Sequence, residues 1–201
     1  TLANMALIQH QAGDTGAAHT TMRQAVENLA AIGAWPDLAR ALDNFSRLDE
    51  TDAPALLAQG CWLARRVDTP LGDLVNLTIA LFETLGSQSA GAPLLALGLG
   101  WRVQERYADH PDAMDVLETT AQAMLRACAA ARGIENPEQI EAWMQTLIEP
   151  GREALERQLD AELEALADGR WLFDRRRLGG ACEPQHCAAV MVMLGFVPHP
   201  S

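Results

Sequence analysis

The chain has 201 residues, of which 49% are hydrophobic and 21% charged, and its formal net charge is −12 at pH 7. Ala and Leu dominate over β-branched and aromatic residues, a composition that favours helix over sheet. Because a strongly acidic surface repels phosphate groups, nucleic acids and anionic membranes are excluded as first hypotheses for a partner. The length allows one substantial hydrophobic core.

Apolar residues recur with helical periodicity between Gly and Pro signals along most of the chain. The predicted helices span approximately residues 2–11, 15–32, 36–48, 54–67, 71–85, 93–107, 111–132 and 137–148, followed by a helix after Pro150-Gly151 and a last one over 184–194. The sequence therefore predicts an all-α protein. Only the run 190–193 is also compatible with a strand.

Three of these helices have distinctive patterns. The helix over 54–67 is apolar almost all round, so we expect other helices to cover it on both sides. The helix over 111–132 is predicted to bury Ala113, Val116, Leu117, Thr120, Ala121, Met124 and Cys128. The helix over 137–148 carries an apolar stripe of Ile140, Trp143, Met144, Leu147 and Ile148. After Pro150, leucines at 155, 159, 163 and 166 form a narrow seam among charged residues, which is typical of a terminal helix that is mostly exposed to water.

The first hairpin carries a recognisable spacing. Gly13 lies at its turn, with Ala18 five positions later, Met22 after four more and Ala25 three beyond that. In these positions the first 33 residues resemble a tetratricopeptide repeat, and the hairpin over 36–67 keeps the helix lengths but not the turn glycine. The resemblance implies a right-handed stack of antiparallel helical hairpins, a TPR-like α-solenoid, because one hairpin cannot bury its apolar face alone.

On this basis we expect TPR-like hairpins over 1–107, a continuing helical stack and terminal helix over 108–168, and a C-terminal extension over 169–201 that packs on the stack. The sequence begins inside a helical pattern, so the chain is interpreted as the C-terminal part of a larger bacterial TPR-containing protein.

The resemblance also implies where a partner binds, since the first helix of each pair commonly lines a groove for a peptide or a partner helix. Arg40, Asn44 and Arg47 share one polar face of the helix over 36–48, and Asn76 and His10 are further candidates. Arg with Asn can grip a peptide carboxylate or backbone. The alternative interpretation is that these are ordinary solvated helix positions.

Catalytic motifs are absent from the sequence: it contains no Gly-rich phosphate loop, nucleophile elbow or HExxH. We therefore predict that the protein is not an enzyme and needs no cofactor. Cys182, His186 and Cys187, with His199 as a further donor, form the one cluster of metal-type ligands, but their spacing falls short of a structural zinc site.

The four cysteines lie mostly in apolar helical runs, where a reduced thiol packs as a small hydrophobe. The sequence shows neither a secretory signal nor an apolar stretch that reaches the roughly eighteen residues of a membrane span. We expect a cytoplasmic protein.

The predicted function is a non-catalytic protein or peptide interaction module of a bacterial regulatory or scaffolding protein. The alternative is a sensor domain, in which the apolar helices between Pro54 and Tyr107 close a pocket around a small molecule or peptide. Metal binding through the cluster over 182–187 is a weaker third hypothesis.

Overall fold

The computed structural model of the chain describes residues 1–107 and 111–179. The described residues form helices, with no strand among them: α1 (Leu2–Gln11), α2 (Thr15–Ile32), α3 (Trp35–Ser46), α4 (Ala53–Ala64), α5 (Leu71–Leu85), α6 (Gly91–Tyr107), α7 (Pro111–Ala131), α8 (Pro137–Ile148), α9 (Arg152–Ala167) and α10 (Arg176–Gly179). This confirms the all-α prediction for that part of the chain. The chain divides into two compact units after Trp171, and α10 belongs to the second unit.

The helix ends follow from local chemistry, which is why most predicted boundaries are within a few residues of the observed ones. The Asp14 carboxylate accepts a hydrogen bond from the Ala17 backbone N–H at 3.1 Å and caps α2. At its other end Gly33 adopts a φ of 72°, a left-handed conformation that glycine tolerates without strain. The Asn136 side chain caps α8 by accepting from the Glu138 N–H at 2.8 Å.

Helix α4 is the centre of the first unit. It packs against α3 in an antiparallel hairpin and also against α5 and α9. All residues from Ala55 to Arg65 are buried. The prediction that this helix is covered on both sides is therefore confirmed.

Helix α9 packs against both α4 and α6 through Leu155, Leu159 and Leu163, each no more than 3% exposed. The predicted narrow leucine seam is confirmed at these three positions, whereas its fourth member, Leu166, is only partly buried. In a simple solenoid each repeat touches only its neighbours in sequence, so the return of α9 to the much earlier α4 is a departure from that pattern.

A charged cluster joins α9 to the end of α4. Arg66 donates a hydrogen bond to Asp160 at 2.6 Å, and its guanidinium lies 3.8 Å from the centroid of the Trp62 ring. Arg65 is buried 3.8 Å from the other oxygen of Asp160, and this burial lowers the pKa of Arg65. These contacts link α9 to the C-terminal end of α4 in addition to the leucine packing.

Helices α7 and α8 differ from the prediction. Leu117, Ala121, Met124 and Cys128 of α7 are buried as expected, whereas Thr120 is only partly buried. Val116 is 62% exposed, so its assignment to the buried face was wrong. The side-chain environment of Ala113 lies outside the described residues. Helix α8 has no buried residue, and its apolar stripe therefore remains partly open to solvent.

None of the described helices is both long and apolar enough to cross a membrane.

Candidate functional site

A groove of about 270 Å³ lies where the start of α1, the second half of α2 and the middle of α3 meet. We call it the N-terminal groove. Its lining residues are Thr1, Leu2, Ala3, Asn4, Ala25, Asn28, Leu29, Asp37, Arg40, Ala41 and Asn44. Two of the predicted partner-binding residues, Arg40 and Asn44, are thus brought to one site.

The floor of the groove is apolar and owes its depth to small side chains. Ala25 on α2 and Ala41 on α3 are 4% and 2% exposed, and Leu2 and Leu29 complete the apolar lining. Because alanine carries only a methyl group, a hollow remains at these two positions, which a larger aliphatic residue in their place would fill. The hollow therefore depends on two alanines, of which Ala25 also belongs to the repeat spacing of the first hairpin.

Arg40 has a structural role that the sequence did not reveal. Its Nε and Nη2 donate to the same oxygen of Asp73, at 3.0 and 2.8 Å, and Nη1 lies 3.5 Å from Asp37. The hydrogen bond to Asp73 raises the pKa of Arg40 further above its ordinary value. The guanidinium is thus positively charged and already balanced by two carboxylates, which weakens the expectation that it receives a peptide carboxylate.

The amides in the groove are better placed to bind a ligand. Asn44 and Asn4 make no side-chain hydrogen bond within the part of the chain that the structure describes. Asn28 accepts one from Gln24 at 3.1 Å, which leaves its NH₂ group available as a donor. Each amide offers both donors and an acceptor, the same set of groups that a peptide backbone requires.

The remaining predicted residues do not line the groove. Arg47 is 61% exposed and donates to Asp43 at 2.9 Å. Asn76 is an exposed residue of α5, and His10 is exposed in the last turn of α1, whereas Thr1 to Asn4 at the opposite end of that helix line the groove.

Sequence reasoning missed Asn4 and Asn28. For Asn28 the available signal was its position in the interior of α2, where Asn has a poor helix propensity and competes for backbone hydrogen bonds. Asn4 lies in the first turn of α1, so this signal does not apply to it.

The sensor pocket predicted between Pro54 and Tyr107 stays a prediction; one small cavity lies among the described residues of this region. That cavity, lined by Cys61, Arg65 and Leu95 among others, measures about 10 Å³. This is room for about one water molecule.

No group of three or more His, Cys, Asp and Glu residues that could hold a metal lies within the described part of the chain. Cys182, His186, Cys187 and His199, like the predicted last helix over 184–194, lie outside the described residues. Burial raises the pKa of Cys61 to about 12, so this thiol is protonated at neutral pH and a poor nucleophile.

No family model matches the chain, and it has no significant match among curated proteins or solved structures. The tetratricopeptide resemblance of the first hairpin therefore stays a prediction, and any functional assignment depends on the geometry described above.

Proposed function

We propose that the protein is a non-catalytic interaction module that binds an extended peptide in the N-terminal groove. The observation that carries the proposal is the convergence of Asn4 and Asn44, whose amides have no partner within the described residues, beside an apolar hollow. Paired donors and acceptors beside such a hollow suit a peptide backbone whose side chain enters the hollow.

The size of the groove favours a peptide over a complete small-molecule ligand. Pockets for drug-sized molecules usually enclose about 300–1,000 Å³ and bury most of the ligand. A groove of about 270 Å³ that is open to solvent suits part of a longer chain instead. This supports the interaction module over the sensor domain.

The charge of the groove indicates which peptides it would accept. Arg40 is balanced by Asp37 and Asp73, so these three side chains together carry one net negative charge. The formal charge of the whole chain is −12. We therefore propose that the bound segment is neutral or basic, and that an acidic residue in the hollow is disfavoured.

The proposed architecture is a pair of TPR-like hairpins, α1–α2 and α3–α4, that forms a right-handed stack. Its support is the packing of each pair and the burial of Ala18, Met22 and Ala25 at the positions that the repeat reserves for small and bulky residues. A cytoplasmic bacterial regulatory or scaffolding protein remains the proposed context.

An immobilised library of extended peptides, followed by fluorescence polarisation with the best binder, tests this function. We expect Asn44→Ala and Asn4→Ala each to weaken binding by about tenfold, because each removes hydrogen bonds worth about 1 kcal/mol or more. Asn76→Ala is the matched control, since Asn76 is an exposed asparagine outside the groove. Circular dichroism verifies that all three variants remain folded.

Two outcomes would contradict the proposal. The first is a library in which no peptide binds above background. The second is a bound peptide whose affinity falls equally in the Asn44, Asn4 and Asn76 variants, or in none of them.

A further inference from the structure

Helix α8 presents an apolar face that the described part of the chain does not cover. Ile140, Met144 and Ile148 recur at four-residue intervals on α8 and line an open groove of about 520 Å³. The opposite wall is α7, which contributes Leu125. Ile148 is 42% exposed, and no residue of α8 is buried.

We propose that this α7–α8 face, defined by the groove between the two helices, is a self-association surface on which a second copy of the chain docks through its own α8. The proposal is independent of the peptide site, since the α7–α8 face and the N-terminal groove share no residue.

The shape of the face fits a second copy. An amphipathic helix with anchors at i, i+4 and i+8 is the usual occupant of a groove between two helices, and α8 is itself such a helix. In a two-fold dimer the same patch serves as groove and as occupant, because each contact is repeated by symmetry. Each copy then buries the apolar stripe of its own α8 against the other copy.

The charges on the face are also self-complementary. Arg126 on α7 and Glu141 on α8 both line the groove and are exposed, and neither forms an ion pair with a described residue. In the proposed dimer Arg126 of one copy pairs with Glu141 of the other, and two-fold symmetry repeats the contact in the reverse direction. A neutral apolar helix from another protein would leave both charges without a partner.

The expected affinity is modest. With twelve residues at about 1.5 Å per residue, α8 is about 18 Å long. A helix of this length buries less surface than the roughly 800 Å² per partner of a stable interface. We expect a dissociation constant on the order of 10 μM, so that dimers form at high protein concentration only.

Sedimentation equilibrium of the full chain over concentrations from about 1 to 200 μM, bracketing that constant, tests the proposal. We expect the average mass to rise from 21.8 kDa towards twice that value. Ile148→Glu should weaken the dimer at least tenfold by burying a charge in the interface. Val116→Glu is the control, because Val116 is an exposed apolar residue of α7 that does not line the groove.

A charge exchange makes the test specific to the proposed pairing. Arg126→Glu and Glu141→Arg should each weaken dimerisation about tenfold by creating like-charge contacts, and the double variant should restore it. Both positions are exposed, so loss of folding is not expected. A monomer at every concentration, equal effects of Ile148→Glu and Val116→Glu, or a double variant as weak as the single ones would overturn the proposal.

Discussion

At Gly98, helix α6 lies close to Leu159 of α9 and to Arg65, which follows the last residue of α4. A Cβ atom added to Gly98 would lie 2.5 Å from Nη1 of Arg65 and 2.7 Å from Cδ2 of Leu159. Both distances are well below van der Waals contact. Gly98→Ala therefore tests whether the packing of α9 on α4 and α6 is as tight as described.

Both neighbours of Gly98 are largely buried, and the cavity beside them measures only about 10 Å³. The side chain of Arg65 is 7% exposed and lies beside Asp160, and Leu159 is 1% exposed. Overpacking of this kind costs about 1–3 kcal/mol, and two simultaneous clashes place the cost near the upper end. Alanine recovers about 1 kcal/mol of helix propensity. The expected net loss in the free energy of unfolding is about 1–2 kcal/mol.

Gly100 provides a matched control two residues further along the same helix. A Cβ atom there would meet nothing within 4 Å. Gly100→Ala should therefore gain most of the helix propensity, up to about 1 kcal/mol. The two substitutions are chemically identical, so the difference between them reports the contacts of Gly98 alone.

Urea unfolding followed by circular dichroism measures both variants. We expect the midpoint to fall for Gly98→Ala and to rise for Gly100→Ala, with the same slope and a separation of about 2–3 kcal/mol between them. If Gly98→Ala is as stable as Gly100→Ala, the side chains of Arg65 and Leu159 do not pack tightly against Gly98, and the expected clash is refuted.

Two further predictions concern histidine and cysteine. His19→Ala should lower the free energy of unfolding by about 1 kcal/mol in urea titrations, because a ring nitrogen of His19 is hydrogen-bonded to the Leu48 carbonyl at 2.7 Å. His10→Ala should change the free energy of unfolding little, because His10 is exposed and makes no such bond within the described residues. Equal effects of the two substitutions would argue against the hydrogen bond of His19. The Cys61 thiol has a pKa of about 12 when folded and an ordinary value of 9.0. Its contribution to stability is therefore fully present below pH 9 and is lost as the pH rises towards 12, by up to about 1.4 kcal/mol per pH unit. Relative to Cys61→Ala, the wild-type chain should lose stability between about pH 9 and 10.5, and parallel pH profiles of the two proteins would contradict the assignment.

The elements of the fold were largely predictable because their signals are local. Asp14, Gly33 and Asn136 determine helix ends through hydrogen bonds and backbone conformations within a few residues. Burial of α4 was equally predictable, since a helix without a polar face has no side to expose. What periodicity cannot determine is which helices meet, and the packing of α9 on α4 follows from contacts between distant segments.

The exposed apolar residues show the same limit. Val116 and the stripe of α8 have the period of a buried face, but the period says only that one side of a helix is apolar. Whether that side is covered depends on the other helices, and in the described residues α8 has few neighbours apart from α7. An apolar stripe that the chain itself leaves open is the observation from which the self-association proposal begins.

Some residues of the candidate site could be predicted from the sequence and others could not, for a related reason. Arg40 and Asn44 were found because they share a polar stripe on one helix, but Asn4 and Asn28 join them only through the packing of α1 and α2 on α3. The same packing brings α5 close to α3, so that Asp73 occupies the guanidinium of Arg40. Arg40, which was predicted to bind a partner, is thus part of the wall of the groove and is held there by Asp73.

The separation of the two surfaces has a consequence for how a partner binds. A dimer that forms through the α7–α8 face carries two N-terminal grooves, so a partner with two binding segments gains avidity without any new contact. A single short peptide gains nothing from the dimer, because it occupies one groove only. Arg126→Glu should therefore reduce binding of a bivalent partner while leaving single-peptide affinity unchanged, whereas Asn44→Ala reduces both, and this difference allows the two proposals to fail independently.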